Sequence, residues 1–170
     1  PGLGTIGVFQ DSAPSIYVQP SPFMPPESLD PSNVHREQVA PTGLAAYDFG
    51  FGATFFDYDN DGDRDIFVAN DLSPNFLYRN NGDGRFEEIG FVAGIALSGD
   101  VTVGNGMRID LADFDNDGGL DLVVTNYQSQ VNTLYRNDLD GFFTDVSFES
   151  GTGLPSWPLL GWGCGLVDVD

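Results

Sequence analysis

The sequence predicts an all-β chain assembled from repeated units of four short antiparallel strands. Three observations carry this expectation. A nine-residue acidic run recurs at a nearly constant offset, short apolar runs alternate with turn residues, and the composition favours turns and strands over helices. Asp57-Tyr-Asp-Asn-Asp-Gly-Asp-Arg-Asp65 returns 56 residues later as Asp113-Phe-Asp-Asn-Asp-Gly-Gly-Leu-Asp121 and begins again at Asp168-Val-Asp170. The register persists outside the acidic run, because Asn75-Phe-Leu-Tyr-Arg-Asn80 matches Asn132-Thr-Leu-Tyr-Arg-Asn137 and Asp83-Gly84 matches Asp140-Gly141. Gly43-Leu44, Gly94-Ile95 and Gly153-Leu154 hold a third corresponding place. The 22 Gly, 11 Pro, 14 Phe and 6 Tyr suit turns and pleated surfaces.

The strands follow in order. Phe49 to Phe56 leads into the first acidic run, and Asp65 to Asn70 leaves it as a near-continuous apolar stretch that suits a strand covered on both faces. Phe76 to Arg79 and Arg85 to Ile89 are joined by Asn80-Asn-Gly-Asp-Gly84, a hairpin signal because Asn and Gly tolerate positive φ. The second unit repeats the scheme at about 106–112, 121–126, 132–136 and 142–147. Four antiparallel strands in about 56 residues is the size of a β-propeller blade. The chain is therefore expected to hold two complete blades, about 37–92 and 93–150, and the start of a third at 151–170. Residues 1–36 form the remaining segment. Eight of the 11 prolines (Pro1, Pro14, Pro20, Pro22, Pro25, Pro26, Pro31, Pro41) precede residue 45, so this arm or linker is expected to be extended.

The acidic runs carry the chemistry. Asp at loop positions 1, 3, 5 and 9, with Gly at 6, lets one tight turn aim side chains inward, take a backbone carbonyl at position 7 and close with another carboxylate. Ca²⁺ takes 6 to 8 oxygen ligands in flexible geometry, whereas Mg²⁺ prefers an octahedron with retained waters. The ligands expected in the first loop are Asp57, Asp59, Asp61 and Asp65, with Asp63 through its carbonyl. In the second they are Asp113, Asp115, Asp117 and Asp121, with the carbonyl of Gly119. Asp168 and Asp170 hold the first two positions of a third site. An EF-hand would need Glu at position 12, where Val68 and Val124 stand, and flanking helices rather than strands. A thrombospondin-type calcium repeat would need many cysteines.

Composition removes other classes. Six basic residues, all Arg, against 26 acidic ones give a net charge of −20, which excludes an electrostatic grip on nucleic acid or anionic lipid. At 41% hydrophobic the chain has material for a core, so its acidity does not signal disorder. Cys164, the single cysteine, excludes an internal disulfide and a cysteine-built metal site, and it is expected to pack as a small apolar residue. Trp162 fills the slot of Phe51 and Met107 and reads as core. Arg79 and Arg136 are expected to pair with nearby carboxylates, and His35 to be inert. The hairpin Asn80 to Gly84 is oxygen-rich and is a weaker candidate ion site. No apolar run approaches the roughly 18 residues of a membrane span, and no charged-then-apolar leader stands at the start. Because the chain starts at Pro1 and stops within an acidic run, it is expected to be part of a longer polypeptide.

The stretch Gly50-Phe-Gly-Ala-Thr-Phe-Phe-Asp-Tyr-Asp-Asn-Asp-Gly-Asp-Arg-Asp-Ile-Phe-Val-Ala-Asn70, followed by Leu77-Tyr-Arg-Asn-Asn-Gly-Asp-Gly-Arg-Phe86, closely resembles the FG-GAP and VCBS repeat family, including its cartilage acidic protein-like group. The resemblance covers about residues 37–170. It implies a calcium-bearing β-propeller that is secreted, periplasmic or on the cell surface, with Ca²⁺ on the loop carboxylates. The reading that follows is a calcium-stabilised, non-catalytic extracytoplasmic module for interaction or adhesion. Its expected partner is another protein or further propeller blades, with carbohydrate as a further candidate and without nucleic acid or direct membrane insertion. The alternative is an accessory subunit or non-catalytic domain of a larger enzyme or membrane-associated complex. Against catalysis, the carboxylate clusters are claimed by the metal, and the sequence holds no nucleophile elbow, zinc motif or His-based dyad.

Overall fold

A computed structural model of the chain describes Leu44 and residues 48–167. The expectations for the arm at 1–36, for His35 and for the third-loop residues Asp168 and Asp170 lie outside the described residues.

The described part is nearly all β. Eight strands form two four-stranded antiparallel sheets, each a meander in sequence order. The first sheet comprises β1 (Gly50–Phe56), β2 (Asp65–Asn70), β3 (Phe76–Asn80) and β4 (Phe86–Glu88). The second comprises β5 (Gly106–Ala112), β6 (Asp121–Asn126), β7 (Thr133–Asn137) and β8 (Phe143–Asp145). One sheet per repeat unit, with an acidic run between its first two strands, is the arrangement expected of blades. Strands β2 and β6 are buried at every residue, as the apolar runs at their centres require.

The register carries one feature the sequence pattern hides. In β1 the pairing passes from Gly50 opposite Asn70 to Gly52 opposite Ala69, leaving Phe51 as an extra, bulged residue. The same shift occurs between Gly106 and Arg108, leaving Met107 bulged. The bulges sit beside glycines that lie close against the other sheet, Gly52 against Ile109 and Gly106 against Ala69. A Cβ on Gly106 would lie 3.0 Å from the Ala69 Cβ and 3.2 Å from the Val124 Cγ1, so a larger side chain there would push the sheets apart.

The sheets share one core. Phe56, Tyr58, Phe67, Ala69 and Leu77 from the first unit pack with Leu122, Val124, Tyr135 and Phe143 from the second, and Ala93 and Ile95 of the connecting segment complete the cluster. That segment is tied on both sides: Asn75 N–H donates to Ala96 O at 2.9 Å and Phe143 N–H donates to Ala93 O at 2.7 Å. The outer faces repeat half of this core. Leu44 packs with Ile66, Val68 and Tyr78, as Ile95 packs with Leu122, Val124 and Tyr135. On the far side, Cys164 and Leu166 pack against Val123, Leu134 and Val146, so Cys164 is a packing residue.

The opening of the third unit differs from expectation in two ways. Residues 158–167 form no paired strand, and a short helix, α1 (Gly153–Ser156), precedes them. Pro155 is compatible with this turn because the first helical N–H groups have no intrahelical acceptor. The Ser156 hydroxyl secures the turn, donating to Gly153 O at 2.6 Å and accepting from Asn132 N–H at 2.8 Å. Trp162 is 64% exposed, which corrects its reading as core. The slot it shares with Phe51 and Met107 is the bulge position, where an extra residue swings away from the ladder.

Candidate metal centre

Both acidic loops adopt the same backbone. Asn60 and Asn116, at loop position 4, have φ of 59° and 60°, and Gly62 and Gly118, at position 6, have φ of 95° and 94°. These left-handed values are what Asn tolerates and Gly accommodates without strain. The turn is fastened by its first carboxylate. Asp57 Oδ1 and Oδ2 each accept a backbone N–H at 3.0 Å, from Asp61 and Gly62, and Asp61 Oδ1 accepts from Asp63 N–H at 2.8 Å. The second loop repeats all three bonds, Asp113 with Asp117 and Gly118, and Asp117 with Gly119.

This folding gathers like charges. Carboxylate oxygens of Asp57, Asp59 and Asp61 lie within 4.8 Å of one another, as do those of Asp113, Asp115 and Asp117. The Asp59 carboxyl is held above its ordinary pKa, first by desolvation and then by the charge of Asp61. Three carboxylates gathered this closely fit a hard divalent cation, which takes oxygen ligands and cancels the repulsion between them.

The carboxylates at position 9 are placed differently. Asp65 and Asp121 are fully buried beneath their loops and are not among the clustered oxygens. Asp65 Oδ2 accepts from Tyr58 N–H at 3.0 Å and its Oδ1 from Asn80 N–H at 2.8 Å, clamping the loop to β3. Asp121 does the same with Phe114 N–H at 2.6 Å and Asn137 N–H at 2.8 Å. Burial raises the Asp65 pKa to about 6 against the pull of these two bonds, and raises that of Asp121 for the same reason. Each carboxylate oxygen retains a second lone pair beyond its N–H bond.

At position 7 the two loops diverge in concert with their hairpins. The Asp63 side chain reaches toward the β3–β4 hairpin, where its Oδ2 lies 2.7 Å from the site a Cβ on Gly82 would occupy. In the second unit Gly119 stands for Asp63, and Leu139 stands for Gly82 with φ of 60°. There the Leu139 Cδ2 fills the space, 3.0 Å from where a Cβ on Gly119 would be.

The hairpin Asn80 to Gly84 spends its oxygens on its own turn. Asn80 Oδ1 accepts from Gly82 N–H at 3.1 Å and Asp83 Oδ1 from Arg85 N–H at 3.0 Å. Arg79 pairs with Glu87 at 2.6 Å on exposed surface, and Arg136 pairs with Asp138 at 2.7 Å where both are half-buried.

Sequence reasoning missed Asn80 and Asn137. Their recurrence in the Tyr-Arg-Asn element is visible, but their role is not, because it needs the fold to bring them to the loops.

Residues 57–124 match the FG-GAP-like repeat family model. Cartilage acidic protein 1 of Xenopus tropicalis is 38% identical over 113 residues, covering 65% of this chain and 17% of that protein. The Homo sapiens and Mus musculus proteins of the same name are 35% and 34% identical over 107 residues, covering 61% of this chain and 16% of each. The chain thus spans about a sixth of the length of these relatives. The matched stretch takes in both acidic loops and the strands between them, so this part of the chain is similar to an FG-GAP-like repeat, and about three fifths of the chain is similar to cartilage acidic protein 1.

Proposed function

We propose that this chain is a non-catalytic, calcium-stabilised interaction module that works outside the cytoplasm. The observation that carries the reading is the duplicated loop, with the same φ angles, fastening bonds and three-carboxylate cluster in both sheets. Asp57, Asp59 and Asp61 hold the first ion and Asp113, Asp115 and Asp117 the second, with Asp65 and Asp121 behind them and the carbonyls of Asp63 and Gly119 at position 7. Each ion closes the connection between the first two strands of its sheet, so it supports register rather than chemistry. The relatives' name supports the setting, since cartilage is a tissue made largely of extracellular matrix, and the net charge of −20 makes this chain acidic too.

The partner surface follows from the repeat. Ile109 and Leu111 of β5 pack against the shared core, while Phe55 of β1, at the place of Leu111, is 40% exposed and the bulged Phe51 is 46% exposed. The unit that suits this face is another repeat of the same type.

At free calcium 100-fold above the dissociation constant, each site adds about 2.7 kcal/mol of stability by mass action. Calcium titration by calorimetry with melting curves tests the reading. Chelation is expected to lower the Tm sharply, and Asp61→Ala and Asp117→Ala each to remove part of the calcium response. Asp63→Ala is expected to remove much less. Unchanged melting after chelation overturns the assignment.

A further inference from the structure

The two loops are joined by one buried side chain. Asn137, at the end of β7, is fully buried and touches both. Its backbone N–H donates to Asp121 Oδ1 at 2.8 Å, at the base of the second loop, and Asp121 Oδ2 accepts from Phe114 N–H within that loop. Its side-chain Nδ2 crosses to the first unit and donates to Tyr58 O at 2.8 Å. The amide orientation is fixed by its other end, because Oδ1 accepts from Leu139 N–H at 3.0 Å and only the nitrogen is left to face the Tyr58 carbonyl. Tyr58 occupies position 2 of the first loop, between Asp57 and Asp59, and its own N–H donates to Asp65 Oδ2. A continuous buried path therefore runs from Asp65 through Tyr58 and Asn137 to Asp121.

The first unit supplies an internal contrast. Asn80, the counterpart of Asn137, makes the same backbone bond to its own closing carboxylate, Asp65. Its side-chain nitrogen turns back to Arg64 O at 3.2 Å, an exposed bond within its own unit. The bridging geometry is found where another unit's loop lies alongside. Aromatic packing reinforces it: Phe143 of β8 stacks on the Tyr58 ring with centroids 6.2 Å apart, which buries the bridge.

We propose that Asn137 is a positioning residue that couples the two loops, so that a cation in either raises the affinity of the other. The inference rests on the reading of these loops as calcium sites. An ion in the second loop fixes Asp121, Asp121 fixes the Asn137 backbone, and the Asn137 amide then holds Tyr58 with both flanking carboxylates of the first loop in place. The ordering cost met by one ion is not met again by the other, and the linkage is reciprocal.

The test is calcium titration of the full chain by calorimetry, at about 0.5 M salt to shorten the screening length to a few ångströms. Asp117→Ala isolates the first site and Asp61→Ala the second. The coupling factor is the overall two-site constant divided by the product of these single-site constants. The expected factor is about 5 or more in the wild-type background. It falls to about 1 in Asn137→Ala and in Asn137→Ser, whose hydroxyl can still serve Leu139 N–H but is too short to reach Tyr58. The affinity of the second site alone stays within about twofold in both variants, because any residue except Pro keeps the backbone N–H that Asp121 accepts. A merely structural role for Asn137 would lower both single-site constants and leave the factor unchanged, which overturns the proposal. A factor of 1 in wild type, with both sites binding, overturns the coupling and leaves the calcium reading standing. Absence of binding at either loop overturns both.

Discussion

Asp63 and Gly82 in the first unit, against Gly119 and Leu139 in the second, form a volume exchange between an acidic loop and the hairpin beside it. Gly119 is legible in the sequence as a position where only a carbonyl is needed. The packing reason for its smallness is not, because Leu139 lies 20 residues away and meets it only through the β6–β7 pairing. Gly82→Leu is therefore expected to destabilise the first unit by about 1–3 kcal/mol, through its φ of 73° and the approach of Asp63. Adding Asp63→Gly should recover part of that loss, with a coupling of about 0.5–3 kcal/mol in a denaturant-melt cycle. Simple additivity would show that the two positions do not share space. Asp65 gives the pH dependence. Its folded pKa of about 6 lies above the ordinary value of 3.8, so the folded chain holds the proton longer than the unfolded chain. Its contribution in chelator is a loss of stability as pH rises through about 4 to 6, complete above that window. Asp121 adds a loss of the same sign. Melting curves across pH 4–7 in chelator should show a shallower fall for Asp65→Asn, whose side chain does not titrate.

At the scale of elements, the apolar runs and turn dipeptides make the strands legible: β2, β5 and β6 fall at the expected bounds and the others within one or two residues of them. The near-continuous apolar run of β2 reads correctly as covered on both faces, and Leu77 of β3 lies fully buried in the core shared by the sheets. Leu77→Ala is accordingly expected to cost about 2–5 kcal/mol, the cost of losing buried methyl groups and leaving a cavity. Arg79→Ala, two residues along the same strand, removes an exposed ion pair and should cost less than about 1 kcal/mol by chemical denaturation. Equal losses would mean that the strand is held by its surface rather than its core. The bulges at Phe51 and Met107 escape pattern reading, since Gly50-Phe-Gly52 fits a regular strand equally well and only the approach of the second sheet selects the shifted register. The α1 turn escapes it too. Four residues are too few to show a helical period, and their placement depends on the Ser156 contacts with Gly153 and Asn132.

For the whole molecule, the sequence repeat makes legible that each unit presents to its neighbour the face its counterpart presents to the next. In the second sheet β5 meets the first sheet, and Ile109 and Leu111 are half-buried against the shared core. In the first sheet Phe55, at the place of Leu111, and the bulged Phe51, at the place of Met107, stay substantially exposed. How far that face is left open could not be read from the pattern, because exposure depends on which surfaces meet rather than on residue type. Exposed aromatic side chains on a strand whose counterpart is covered mark an association surface, so the chain is expected to self-associate through it when no other unit covers it. Phe51→Glu with Phe55→Lys should lower the weight-average mass seen by sedimentation or light scattering. The Tm should move by less than the loss for Leu77→Ala, because neither side chain is part of the shared core. Leu111→Glu is the control. It sets a charge against that core, where no partner is provided, and should unfold the chain rather than disperse it. Unchanged association in the Phe51 and Phe55 double variant, with its melting intact, would remove this face as the docking surface and place the contact elsewhere on the sheets.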